Sequence, residues 1–121
     1  MTTKTFNKLT GNTGETAAVD YLRKNGFEIL ARNYTAKHGE IDIIAKRGEQ
    51  IHFIEVKTRA GGDFGGGRAA VNYAKRKTIR SIATIYLVKN GLYDRTGAQF
   101  DVIEITGTGS GARIEYLPNC F

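Results

Sequence analysis

The stretch GEIDIIAKRGEQIHFIEVK, residues 39–57, restricts the fold more than any other part of the chain. Two short apolar runs, IDIIAKR and QIHFIEVK, flank Gly48 and Glu49, and a two-residue loop with glycine first is a favoured type II′ hairpin connection. That turn sets the register, so residues whose numbers sum to 97 lie opposite one another: Ile43 with Ile54, Asp42 with Glu55, Glu40 with Lys57. Alternation then puts Ile41, Ile43, Ala45, His52, Ile54 and Val56 on one face. The other face carries Ile44, Ile51 and Phe53 near the turn, and Glu40, Asp42, Glu55 and Lys57 farther along.

Like charges directly opposed across a hairpin are destabilising unless something compensates, because their Cβ atoms stand roughly 4.5–5.5 Å apart. Two carboxylates at that spacing can share one divalent cation, since Mg²⁺ and Mn²⁺ are held through one or two carboxylates, with water and phosphate completing the shell. Lys57, about 6.6 Å along the strand from Glu55 on the same face, is placed to hold a water or a phosphate oxygen beside that ion. The simpler reading is an exposed polar hairpin end with a Glu40–Lys57 ion pair. It accounts for two of the four charges and leaves Asp42 facing Glu55.

The rest of the chain reads as two helices and three further strands, so that the whole runs in the order helix, three strands, helix, two strands. Apolar positions at Ala17, Ala18, Tyr21 and Leu22 give residues 13–25 the spacing of an amphipathic helix, with Asn12 as N-cap and Gly26 as stop. FEILARNYT, 27–35, reads as a strand before the hairpin. After a glycine-rich loop at 60–67, a second helix runs through NYAKRKTIRSIATIYLVKNG with Asn72 as its cap and Gly91 after its end. Strands at 98–106 and 112–117 follow, joined by GTGSG. This order implies an α/β fold with a mixed sheet.

A length of 121 residues, 40% of them hydrophobic, suits one domain over 1–121, with residues 1–12 expected to be disordered. No apolar run has the length of a membrane span, and none at the start suits a signal peptide, so a soluble cytoplasmic protein with no membrane partner is expected. The single cysteine, Cys120, allows no internal disulfide and no cysteine-based metal cluster, which leaves oxygen or histidine as metal ligands. His52 falls on the face opposite the acids, and His38 stands alone, so both are weak candidates. The 18 Lys and Arg residues against 12 Asp and Glu give a net charge of +6, which favours a polyanionic partner.

Glu15 has two readings. Asn12-x-x-Glu15 has the spacing of a capping box, and a carboxylate in a first helical turn is favoured by the dipole. Glu15 also lies on the inward stripe with Ala18 and Leu22, from which it can face the sheet. Arg59 and Arg68 flank the glycine-rich loop, and Lys75, Arg76, Lys77 and Arg80 gather on the first turns of the second helix. A solvated helix face explains each singly, and together they favour a phosphodiester track. Most of the six tyrosines have core-like spacings, so contact with duplex or branched DNA is expected over stacking on single strands.

Glu15 on a first helix, then GEID, then EVK after twelve residues, resembles the active-site arrangement of the restriction-endonuclease-like superfamily, the PD-(D/E)xK nucleases. GETAAVDYL, GEIDIIA, FIEVKTR, AAVNYAKRKTI, FDVIEITG and the terminal PNCF resemble more closely the YraN family of uncharacterised bacterial proteins, which look related to Holliday junction resolvases. The resemblance covers about Gly14 to Phe121. It implies a three-layer α/β/α domain with a restriction-endonuclease-like mixed sheet, and metal-dependent hydrolysis of DNA phosphodiesters, with branched or junction DNA as the narrower class. It further implies that Asp42 and Glu55 ligate Mg²⁺ or Mn²⁺ with the backbone carbonyl of Val56. Lys57 would orient the attacking water or stabilise the developing charge, and Glu15 would be an additional carboxylate. The partner expected is DNA, bound by a monomer or homodimer. The rival readings are a nucleic-acid-binding module without turnover and an RNA-directed nuclease.

Overall fold

The computed structural model describes residues 14–59 (Arg59 by its backbone only), 72–107 and 111–121. The expected disordered lead-in, the Asn12 cap, the glycine-rich stretch 60–67 and Arg68 fall outside these residues. The described residues form helix α1 (14–24), strands β1 (Glu28–Ala36), β2 (Gly39–Arg47) and β3 (Gln50–Arg59), helix α2 (Tyr73–Lys89), and strands β4 (Gly97–Thr106) and β5 (Arg113–Leu117). The sheet order is β1-β2-β3-β4-β5, antiparallel except for the parallel pair β3–β4. A parallel neighbour requires a crossover, and α2 lies within it. Among the described residues no helix is long and apolar enough to cross a membrane.

The hairpin turn forms as its sequence demands. Arg47 pairs with Gln50, Gly48 has φ +62°, and Glu49 is not in the left-handed region, which matches type II′ geometry. The summed register holds from Arg47–Gln50 through Ile43–Ile54.

Both sheet faces are covered. Ala18, Val19 and Leu22 of α1 pack with Phe27, Ile43, Ala45, Ile54, Ile103 and Ile105. On the other face Ile79, Ile82, Ala83, Tyr86 and Leu87 of α2 pack with Ile41, Ile44, Ile51 and Phe53. Ile41 therefore joins the α2 side, whereas strict alternation assigns it to the side of Ile43. Alternation breaks at Asp42, where the carboxylate turns toward β3.

Gly14 sets the approach of α1 to the sheet. A Cβ there would stand 2.7 Å from Thr58 Oγ1, so any other residue would force Thr58 or the start of the helix to shift. Glu15 is brought to the sheet by this contact.

The α1 side also buries a polar cluster. Asp101, 0% exposed, lies 2.7 Å from His52 Nδ1 and accepts hydrogen bonds from Tyr116 Oη (2.7 Å), Gln99 Nε2 (3.0 Å) and the Asn119 backbone N–H (2.9 Å). The C-terminal segment is tied down here, and the Cys120 N–H donates to the Phe100 carbonyl at 2.7 Å. Phe121 then packs on the Phe100 ring at 5.5 Å, on the α2 side of the sheet.

Candidate functional site

Beyond Ile43–Ile54 the hairpin stops making registered pairs, so Asp42–Glu55 and Glu40–Lys57 do not continue the ladder as the summed register predicts. A regular pair at Asp42 and Glu55 would press two carboxylates together. Instead the Asp42 carboxylate takes over the acceptor role and receives the Val56 N–H at 2.8 Å. The charged residues thus collect where β2 and β3 open, beside the C-terminal half of β3.

Asp42 is strongly perturbed. Burial, then the charge of Glu55, push its carboxyl from 3.8 up to about 7, with Glu15 and Glu40 adding repulsion and the Val56 N–H acting in the opposite sense. Two half-buried or buried acids repel each other here, in the kind of environment where functional groups are found. The sign of the linkage is definite. A carboxyl raised on folding contributes stability that is fully present below its unfolded value near 3.8 and lost as pH rises through about 7. Asp42→Asn, which keeps an acceptor for Val56, is therefore expected to stabilise the metal-free protein at pH 8 by on the order of 3 kcal/mol and to change little at pH 4. Thermal melts of both proteins at the two pH values check this. An equal shift at both would assign the effect to something other than charge.

Glu55 is 5% exposed, and two ammonium groups hold the same carboxylate oxygen: Lys57 Nζ at 3.3 Å from Oε2, and Lys75 Nζ from the first turn of α2. Burial lowers the Lys75 ammonium, but its hydrogen bond and charge interaction with Glu55 outweigh this and raise it. Lys75 reaches the site because the crossover after β3 delivers the start of α2 above the end of that strand. Asn72 fixes the turn by accepting the Lys75 backbone N–H at 2.9 Å. The sequence places Lys75 in a basic cluster and carries no signal for its contact with Glu55.

Glu15 lies in the first turn of α1 and accepts from Asn33 Nδ2 at 2.9 Å, with Arg32 Nη2 at 3.8 Å. Its charge reaches Asp42, although its described contacts are to β1. Asn33 takes φ +51°, a conformation asparagine tolerates better than most residues, and this aims its amide at Glu15. Nothing in ARNYT announces that role.

The basic residues of α2 diverge, since successive residues turn by about 100° around a helix. Lys75 points into the site, Arg80 lies over the Phe100 ring at 4.7 Å, and Lys77 lines an open cleft of about 350 Å³ with His38, Tyr73, Ala74, Thr78 and Ser81. Arg76 is half-buried, and Arg59 ends β3. Most of the six tyrosines pack inward as their spacing predicts, the exceptions being Tyr73 and Tyr93, exposed at 77% and 53%. Tyr21, Tyr34, Tyr86 and Tyr116 do pack against other rings or the two apolar clusters. His52 is buried on the α1 side, away from the acids, as alternation predicts.

Among the described residues no three His, Cys, Asp or Glu side chains converge as a metal-binding group. The donors at hand are the Asp42 and Glu55 carboxylates and the backbone at Val56. That hard-oxygen set suits Mg²⁺ or Mn²⁺, which take one or two carboxylates, and it does not suit a metal that needs an all-protein cage. The repulsion that lifts Asp42 is also what a divalent cation would relieve.

Comparison with known proteins agrees with this chain's overall pattern. Residues 14–105 match the model of "Uncharacterised protein family UPF0102". A UPF0102 protein of Geobacter metallireducens is 44% identical over 115 residues, covering 95% of this chain and 93% of the relative. One from Alkaliphilus oremlandii is 44% identical over 117 residues, covering 96% of this chain and all of the relative. A third, from Dictyoglomus turgidum, is 43% identical over 117 residues, with 95% and 98% covered. With a family match spanning both helices and four of the five strands, and relatives aligned nearly end to end, the chain belongs to the UPF0102 family, the YraN family that its motifs resemble.

Proposed function

We propose that this protein is a metal-dependent endonuclease of the restriction-endonuclease-like superfamily that hydrolyses phosphodiester bonds in DNA, with branched or junction DNA as the narrower substrate class. The observation that carries the reading is the cluster of Asp42, Glu55 and Lys57 at the open end of the hairpin, with Asp42 held near neutrality by burial and by Glu55. Asp42 and Glu55, with the Val56 carbonyl, hold Mg²⁺ or Mn²⁺. When bound, the ion supplies Lewis-acid polarisation of the phosphate and a more acidic water. Lys57, set by the strand pleat on the side of Glu55, orients the attacking water or stabilises charge on the phosphate. Glu15 adds negative potential from α1.

One observation favours the rival reading of a nucleic-acid-binding module. Both ammonium groups on Glu55 satisfy that carboxylate without any metal. The deciding experiment incubates the purified protein with Mg²⁺ or Mn²⁺ and end-labelled duplex, single-stranded and four-way-junction DNA, and RNA, beside a Glu55→Ala control. Protein that binds DNA and takes up Mn²⁺, yet cleaves nothing above the control, is a binding module. RNA cleaved in preference to every DNA makes it an RNA-directed nuclease.

The phosphodiester track is tested separately. Replacing Lys75, Arg76 and Lys77 together with Ala is expected to weaken DNA binding across sequences and to flatten its log–log salt dependence by up to about three units. An unchanged slope would place the track elsewhere on the surface.

A further inference from the structure

Lys57 and Lys75 meet on one oxygen of Glu55 but are mounted differently. Lys57 stands on β3 two residues from Glu55, on the same side of the pleat, with a side chain 24% exposed. Lys75 reaches across from α2, and its side chain is 40% exposed. A buried carboxylate calls for a compensating charge, and Lys75 sits directly on Glu55 to supply part of it. A divalent cation on that same carboxylate would face an ammonium at contact distance, an arrangement strongly opposed by Coulomb repulsion in a partly desolvated site. One of the two lysines must withdraw. Lys75, the more exposed of the two and mounted on α2 rather than on the strand that carries Glu55, moves at lower cost than Lys57, and its long flexible stem allows the movement.

We propose that Lys75 is an exchangeable counter-ion of the site: it neutralises Glu55 in the metal-free protein and, once Asp42 and Glu55 hold a divalent cation, places its ammonium on a non-bridging oxygen of the phosphodiester. This rests on the metal-dependent reading above and adds a second lysine with a set order of action. Charge is conserved in the exchange, and no bond is made or broken by it. Metal binding and substrate binding become coupled, because the released ammonium is available to phosphate only when the cation is in place.

Mn²⁺ titrations of the full chain without DNA test the first half. Lys75→Met is expected to bind Mn²⁺ roughly tenfold more tightly than the wild type, because no ammonium competes for Glu55. Lys75→Gln should do the same, while Lys89→Met, which removes equal charge from the far end of α2, should change affinity less than twofold. DNA titrations in Ca²⁺ test the second half: Ca²⁺ should raise wild-type affinity for duplex DNA several-fold more than that of Lys75→Met. Unchanged or weaker Mn²⁺ binding by both folded Lys75 variants, or an equal gain in Lys89→Met, overturns the exchange. Equal Ca²⁺ gains in wild type and Lys75→Met overturn the transfer to phosphate. Wild-type protein that takes up no Mn²⁺ overturns the metal-dependent reading itself, and this proposal with it.

Discussion

Glu55→Ala is expected to bring DNA cleavage to background and to abolish Mn²⁺ uptake, while Lys57→Ala keeps the metal and cleaves roughly 100-fold more slowly. The first effect removes one of the two side-chain donors for the cation and leaves Asp42 as the single carboxylate, too weak a site to compete with water. The second removes one electrostatic contact to the transition state, a loss of about 3 kcal/mol. Asp42→Asn should lose cleavage as Glu55→Ala does while melting at a higher temperature than wild type in metal-free buffer at pH 8. Asp42→Ala is a poorer probe, because it also orphans the Val56 N–H that the carboxylate accepts at 2.8 Å. Cleavage kinetics with Mn²⁺ calorimetry on the same preparations separate these outcomes. A Glu55→Ala protein that cleaves as fast as wild type would remove Glu55 from the chemistry.

Asp101→Ala is expected to destabilise the fold by about 3–5 kcal/mol, a large part of the roughly 5–15 kcal/mol available to a domain of this kind. The carboxylate is the shared partner of His52, Tyr116, Gln99 and the Asn119 N–H, so its removal leaves several buried polar groups without it at once. Burial acts to raise the Asp101 carboxyl, but the bonds from His52, Tyr116, Asn119 and Gln99 outweigh it and hold it below the usual carboxylate range. Burial and the bond to Asp101 push the Tyr116 hydroxyl up, which keeps it a donor. A carboxyl lowered on folding stabilises above its unfolded value, near 3.8, and that contribution is lost as pH falls through the folded value. Wild type should therefore lose stability faster than Asp101→Ala below pH 4. Urea melts from pH 7 to pH 2.5 measure both the cost and the slope. A cost under 1 kcal/mol at pH 7 would mean that the cluster rearranges around the missing acid.

Local chemistry made much of this protein legible from its residues. The Gly48–Glu49 turn and the period-two apolar pattern predict the hairpin and its register through Ile43–Ile54, because turn type and pleat are short-range properties. Helical spacing likewise locates α2 and its Asn72 cap. The opposed acids expose a conflict that strand pairing alone does not resolve, which identifies the site without describing it.

Tertiary structure decided the rest. Where the hairpin opens, the Asp42 carboxylate replaces a ladder partner, and this sends Ile41 to the α2 side. Lys75 becomes a site residue only because the crossover lowers the start of α2 onto Glu55, twenty positions earlier in the chain. Asn33 reaches Glu15 through a left-handed backbone that its neighbours do not encode, and Asp101 gathers partners from β3, β4, β5 and the C-terminal segment. Turn and strand preferences are set by a residue and its near neighbours, whereas the charge balance at Asp42, Glu55 and Asp101 depends on groups that only packing brings within a few ångströms.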